Sequence, residues 1–261
     1  MARLTLKKPE ELIIMREAGR IVARAHAAMR EAVRPGITTG ELNQIAEDVI
    51  RKHNAIPTFL GYPPGGKYPY PATINASVND ELVHGIPGAR VLKEGDIVSL
   101  DVGATYKGYV GDAAQTLPVG KISAEAQRLI QVTEEALRIG INTARVGNET
   151  KDISMAIQRY VESCGYTVAR EYTGHGVGHD MHEDPQVPNW WPARQKNRGW
   201  RSYPCKPGMT VALEPMVISG KSDLQVLDDH WTVVTKDGSL CAHCEHTIAV
   251  TDSDPLILTL P

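Results

Sequence analysis

Apolar positions recur at helical spacing in four stretches of the chain and alternate along a fifth. From Pro9 to Val33, the residues Leu12, Ile13, Ile21, Val22, Ala25, Met29 and Val33 form one helical stripe, with Pro9 suited to a first turn and Pro35-Gly36 to the stop. Thr39 stands where it can cap a second helix that buries Leu42, Ile45, Ala46, Val49 and Ile50. The same periodicity returns from Ser123 to Gly140, and Asn148 is placed to cap a fourth helix carrying Ile153, Ala156, Ile157, Tyr160 and Val161, which ends at Cys164-Gly165. Arg34, Gly36, Leu42, Val49 and Ile50 each find a counterpart 111 positions on, in Arg145, Gly147, Ile153, Tyr160 and Val161. Loop, cap and stripe recurring together predict a duplicated unit of two helices followed by strands, with halves at 9–120 and 121–255 inside one domain spanning 1–261. Helices that each bury a single stripe belong on the outer side of a mostly antiparallel sheet, which leaves the inner face free for a site between the halves.

The alternating stretch predicts a hairpin within Glu94 to Pro118, with runs from Ile97 to Ala104 and from Tyr109 joined at Tyr106-Lys107-Gly108. Val98, Leu100, Val102 and Ala104 share one face, and Ile97, Ser99, Asp101 and Gly103 share the other. With the turn centred between Tyr106 and Lys107, Asp101 falls directly opposite Asp112. Like charges so placed are destabilising unless a cation neutralises them. A bulge at Gly108 would instead slip the register by one and put the two carboxylates on opposite faces.

Composition narrows the classes of partner. Lysine and arginine number 28 against 31 acidic residues, a net charge of -3, so the chain carries no strong footprint for nucleic acid or an anionic membrane. Charges interrupt the N-terminal stretch too often for a signal peptide, and no run of 18 or more apolar residues follows, which predicts a cytoplasmic protein. Four cysteines suit a reducing compartment. Cys241 and Cys244 have zinc-like spacing, but three positions apart on a strand they point to opposite faces, so all four are read as structural. Two segments rich in aromatic residues read as loops on a rigid scaffold: Pro57 to Pro71, with the only phenylalanine, Phe59, and Pro188 to Pro207, with Trp190, Trp191, Trp200 and five basic residues.

Candidate chemistry lies in four further strings. NDELVHGIPG presents His84, TGHGVGHDMHEDP presents His175 and His182, GMTVALEPMV sets Glu214 on an apolar strand, and CAHCEHTIAV sets Glu245 on another. A buried carboxylate is rare unless it is paired or bound to metal. Together with Asp101 and Asp112, these two make four carboxylates which, with one imidazole, form a bed for two divalent first-row ions and predict hydrolysis. The chain lacks a phosphate-binding P-loop, an HExxH pair and a GxSxG elbow.

In this order and over nearly the whole chain, from the Pro9 helix to about Val250, these strings resemble type I methionine aminopeptidases of the short bacterial form. The resemblance implies the α+β pita-bread fold of the creatinase and aminopeptidase families: a curved, mostly antiparallel sheet in two pseudo-symmetric halves with outer helices. It implies that Asp101, Asp112, His175, Glu214 and Glu245 hold two divalent ions (Co, Mn, Fe or Zn), with Asp112 and Glu245 bridging. By the same resemblance Glu214 takes a proton from the attacking water, His182 steadies the developing oxyanion, and His84 holds the peptide nitrogen. Phe59, Tyr62, Tyr70 and Trp231 are the candidates for an apolar methionine pocket, and only a small second residue should pass. The implied substrate is the N-terminal methionine of nascent proteins and peptides, the ribosome is a candidate partner, and a monomer is expected.

Some features depart from the pattern. Asn75 and Val83 stand where bacterial members often carry cysteine, and the loops Pro63 to Tyr70 and around Trp200 look long. His26, His53, His179, His230, His243 and His246 receive no role. Two alternatives share the fold: an Xaa-Pro dipeptidase or aminopeptidase, which carries a sizeable domain ahead of it where only 83 residues precede His84 here, and a non-catalytic peptide binder, which loses metal ligands.

Overall fold

A computed structural model describes residues 4–192 and 200–261. Helices α1 (Pro9–Ala32) and α2 (Thr39–Lys52) lead through short strands β1 (Ile56–Pro57), β2 (Ile74–Val78) and β3 (Glu81–Val83) to a long hairpin of β4 (Ile97–Tyr106) and β5 (Tyr109–Pro118). Helices α3 (Ala124–Thr143) and α4 (Thr150–Ser163) come next, followed by β6 (Thr167–Val168), β7 (Thr173–Gly176) and β8 (Glu183–Pro188). The remaining strands are β9 (Thr210–Leu213), β10 (Met216–Ile218), β11 (Leu224–Val226), β12 (Val233–Thr235), β13 (Cys241–His243), β14 (His246–Ala249) and β15 (Leu256–Ile257). All strand pairings among the described residues are antiparallel. They form a sheet of β1, β2, β4 and β5, a five-stranded sheet in the order β15-β14-β9-β7-β8, and two of three strands, β13-β10-β6 and β11-β12-β3.

The helix pairs keep the 111-residue offset residue for residue: α2 runs from Thr39 to Lys52 and α4 from Thr150 to Ser163. The glycines ahead of them, Gly36 and Gly147, have φ of 93° and 98°. The caps differ from expectation by one position. Thr38, not Thr39, caps α2: its hydroxyl accepts from the Glu41 amide at 3.1 Å, while the Glu41 carboxylate accepts from the Thr38 amide at 2.8 Å. At α4 the cap is Glu149, and Asn148 instead donates to the Thr143 carbonyl. On α1, Ile13 departs from the stripe and is 72 % exposed.

Each helix pair covers its own core. Val98, Leu100, Val102 and Ala104 of β4 pack with Ile21, Met29, Leu42 and Ile50, while Leu129, Ile153 and Ile157 of the second pair pack with Val211, Val217 and Ile248. Helix α1 lies so close to β5 that a Cβ on Gly111 would stand 2.6 Å from the Gly19 backbone nitrogen.

The hairpin register corrects the sequence reading. Lys107 and Gly108, with φ of 47° and 79°, form a two-residue turn with both residues left-handed, the type whose twist suits flanking strands. Tyr106 therefore pairs with Tyr109, Asp101 with Ala114, and Asp112 with Gly103. The aspartates are diagonal neighbours, not directly opposed. They still share a face, because the register moved by two and the side-chain period is two.

No helix among the described residues is long and apolar enough to cross a membrane. Of the tryptophan-rich segment, Trp190 and Trp200 meet edge to face at 5.0 Å, whereas Arg194, Lys196 and Arg198 lie outside the described residues.

Candidate metal centre

Glu214 and Glu245 do not lie within strands as expected; each occupies a break where the chain passes from one sheet to another. The chain leaves the five-stranded sheet after Leu213 and enters the three-stranded one at Met216, while β13 and β14 make the reverse crossing. The pairs Leu213↔His246 and Met216↔His243 flank both breaks, so the two glutamates are brought side by side. Strand β5 bridges the gap: Glu245 donates its amide to the Ala114 carbonyl at 2.9 Å. Since Ala114 pairs with Asp101, the hairpin carboxylates and the break carboxylates face one space.

His175 on β7 closes that space. Its Nδ1 lies 2.9 Å from the Gly176 carbonyl, an acceptor, so the proton sits on Nδ1 and Nε2 presents a lone pair. That Nε2 is 3.5 Å from Glu214 Oε1 and 3.8 Å from Asp112 Oδ2. One ligand atom each from Asp112, His175 and Glu245 falls within 4.8 Å of the others. Asn75 donates to Asp101 Oδ2 at 2.7 Å.

The donor set fits a divalent cation on three counts. Asp101 Oδ1, Asp112 Oδ1 and Glu245 Oε1 are buried without a hydrogen-bond partner. Burial holds the Asp101 carboxyl up at about 7, against the hydrogen bond from Asn75, and it raises Asp112, Glu214 and Glu245 well above the usual range, reinforced by the neighbouring carboxylates. Burial also pushes His175 down to about 4, so its imidazole is neutral, the form that binds metal. Oxygen donors with one imidazole suit Mn, Fe, Co or Zn.

Beside the acidic cluster opens a cavity of about 160 Å³, and every residue expected at the site lines it. His182 stands with its ring 4.3 Å from that of His175, and its Nδ1 lies 2.6 Å from the Tyr62 hydroxyl. His84, with φ of 60°, packs edge to face on Tyr172 and Trp231. A non-glycine residue held in that conformation marks a position fixed by its surroundings. Phe59, Tyr70 and Trp231 form an apolar cluster with Met181 and Ile86. The Tyr70 hydroxyl is occupied by the carbonyls of Ile74 and Gly85, which leaves its ring face for packing.

The sequence reading missed Tyr172, Met181, Met216 and His243, which also line the cavity. His243 precedes Glu245 by two positions, but Cys244 and Glu245 lie in the break after β13, so strand alternation gave no signal for it.

A frame of antiparallel strands with outer helices gathers three buried carboxylates, the partly buried Glu214 and a neutral imidazole beside a small cavity, a set suited to metal-dependent hydrolysis. Residues 13–252 match Metallopeptidase family M24, and the chain belongs to that family. It is 54 % identical over 253 residues to methionine aminopeptidase 1 of Bacillus subtilis, covering 97 % of this chain and 98 % of that protein. Against methionine aminopeptidase of Escherichia coli K12 the identity is 40 %, with 98 % and 94 % covered. The structure resembles that of methionine aminopeptidase from Thermotoga maritima, with a TM-score of 0.92 at 42 % identity and complete coverage of both chains. Prolidase from Pyrococcus furiosus shares the fold, with a TM-score of 0.76 at 20 % identity, and this chain spans 66 % of it.

Proposed function

We propose that the protein removes an N-terminal methionine from proteins and peptides whose second residue is small, with Asp101, Asp112, His175, Glu214 and Glu245 holding two divalent ions. The carrying observation is that the acidic cluster lines the same small cavity as the aromatic residues, as a hydrolytic centre beside a space for a single side chain would require. At about 160 Å³ the cavity is far below the roughly 300–1,000 Å³ of sites for drug-sized ligands. Phe59, Tyr70, Trp231 and Met181 give it soft, aromatic walls that favour a thioether.

The ions, when bound, supply Lewis acidity and lower the pKa of water. The remaining work falls to the side chains. Glu214, whose carboxyl burial and the neighbouring aspartates raise well above the usual range, is the group to take the water's proton. Tyr62 donates to His182 Nδ1, which leaves Nε2–H as the donor for an oxyanion. His84 holds the peptide nitrogen that becomes the leaving amine. Nascent chains place the activity in the cytoplasm, with the ribosome as candidate partner and a monomer as the working form.

Hydrolysis of Met-Gly-Met is compared with that of Gly-Pro and Ala-Pro peptides, before and after chelation, then after reconstitution with Fe(II), Mn(II), Co(II) or Zn(II). Release of methionine should dominate, vanish with chelator and return with metal, and Glu214→Gln should abolish it with the fold intact. Preferential cleavage of the proline peptides rejects the proposal, as does unchanged turnover in Glu214→Gln.

A further inference from the structure

One buried nitrogen in the cavity wall has no part in holding ions or peptide. His243, the last residue of β13, is 3 % exposed, and its Nε2 has no hydrogen-bond partner. It lies 3.8 Å from Glu214 Oε2 and 3.9 Å from Glu245 Oε2. His175 faces the other oxygen of Glu214, so that carboxylate stands between two imidazoles. The backbone beneath His243 is clamped: its amide donates to Thr116 Oγ1 at 2.9 Å, and the Thr116 hydroxyl donates to its carbonyl at 2.8 Å. The ring therefore remains beside the glutamates.

At His175 the Gly176 carbonyl holds the ring proton on Nδ1; among the described residues no such acceptor fixes the ring of His243, so repulsion of a bare lone pair by the two carboxylates selects the Nε2–H tautomer. We propose that His243 is a positioning residue, donating Nε2–H to Glu214 and Glu245 and fixing both carboxylates in the orientation that holds the ions. The inference rests on the metal-site reading above. On that reading His243 stands behind two ligand carboxylates, 3.8 Å from Glu214 Oε2 and 3.9 Å from Glu245 Oε2, as an outer partner of the site. Such outer partners are worth about 10–100-fold in metal affinity.

His243→Leu, His243→Gln and wild type are stripped with chelator, titrated with Co(II) by calorimetry, and assayed on Met-Gly-Met. His243→Leu should weaken Co(II) binding by about 10–100-fold and lower kcat more than KM. His243→Gln, which keeps an N–H donor in reach, should recover most of both losses and show the wild-type Co(II) absorption spectrum. Wild-type affinity in His243→Leu overturns the proposal, and so does an altered Co(II) spectrum in His243→Gln, which would make the imidazole a ligand. Should His243→Leu fail to fold, the glutamine variant still decides through its affinity and spectrum. Wild-type protein that takes up no Co(II) overturns the metal-site reading as well, whereas metal-loaded, active wild type with an unaffected leucine variant overturns the role of His243 alone.

Discussion

Tyr62 and His182 together decide which proton faces the substrate. Burial raises the Tyr62 phenol and lowers the His182 imidazolium, so both partners of the 2.6 Å contact are neutral near pH 7. A phenol is the better donor and a neutral imidazole the better acceptor, which places the remaining ring proton on Nε2. In Tyr62→Phe the ring still fills the wall, but the tautomer is no longer enforced. One hydrogen bond is worth about 0.5–1.5 kcal/mol, so kcat should fall by up to about tenfold with KM little changed. Steady-state kinetics on Met-Gly-Met check this, and a rise in KM at constant kcat would show a packing role only. At this scale the sequence revealed the charged half of the site, because a carboxylate inside an apolar string stands out. It did not reveal His243 or the bond from Asn75 to Asp101, because those contacts depend on strand register and on two chain breaks lying side by side.

The elements were legible wherever their period was. Four helices fell within a few residues of their expected bounds, and the core face of β4 was correct residue by residue. The turn was harder, since Lys107 in a left-handed conformation is unusual and only the glycine advertised it. A shift of one residue at the turn centre still left Asp101 and Asp112 on one face, which is why both line the same cavity despite the error. The breaks that carry Glu214 and Glu245 interrupt strands whose apolar strings looked continuous. The approach of α1 to β5 also escaped notice, although it seats the strand that carries Asp112. An alanine at Gly111 would drive its Cβ into the α1 backbone, and the two elements would have to part. Overpacking of this kind costs about 1–3 kcal/mol. Gly111→Ala should lose that much in urea denaturation, while Gly88→Ala, whose added Cβ meets nothing within 4 Å, should stay within about 0.5 kcal/mol of wild type. Equal stability of the two variants would show that the helix can shift freely.

Across the whole molecule, the two halves press four carboxylates together, and folding without metal must bear that charge. The folded Asp101 carboxyl is raised from 3.8 to about 7, and Asp112, Glu214 and Glu245 move in the same direction. An acid raised on folding contributes stability that is full below its unfolded pKa and is lost as pH rises through the folded value. Buried histidines act with the opposite sign: His84 and His175, lowered from 6.5 to about 4, and His243, lowered to about 3, disfavour the folded state as pH falls below 6.5. Above about pH 7.5 these histidines are almost wholly neutral in both states, and the carboxylates dominate the slope. Thermal melts of the chelator-treated protein should therefore show Tm falling between about pH 7.5 and about 8.5. Divalent cations reverse that cost, because they bind the ionised carboxylates and displace their protons. The rise in Tm on adding excess Mn(II) should be larger at about pH 8.5 than at pH 6.5, and at 100 times Kd it corresponds to about 2.7 kcal/mol. A metal-free Tm independent of pH over this interval, with a metal increment that is also constant, would mean that the carboxylates are hydrated and the centre is not the buried cluster that the fold builds.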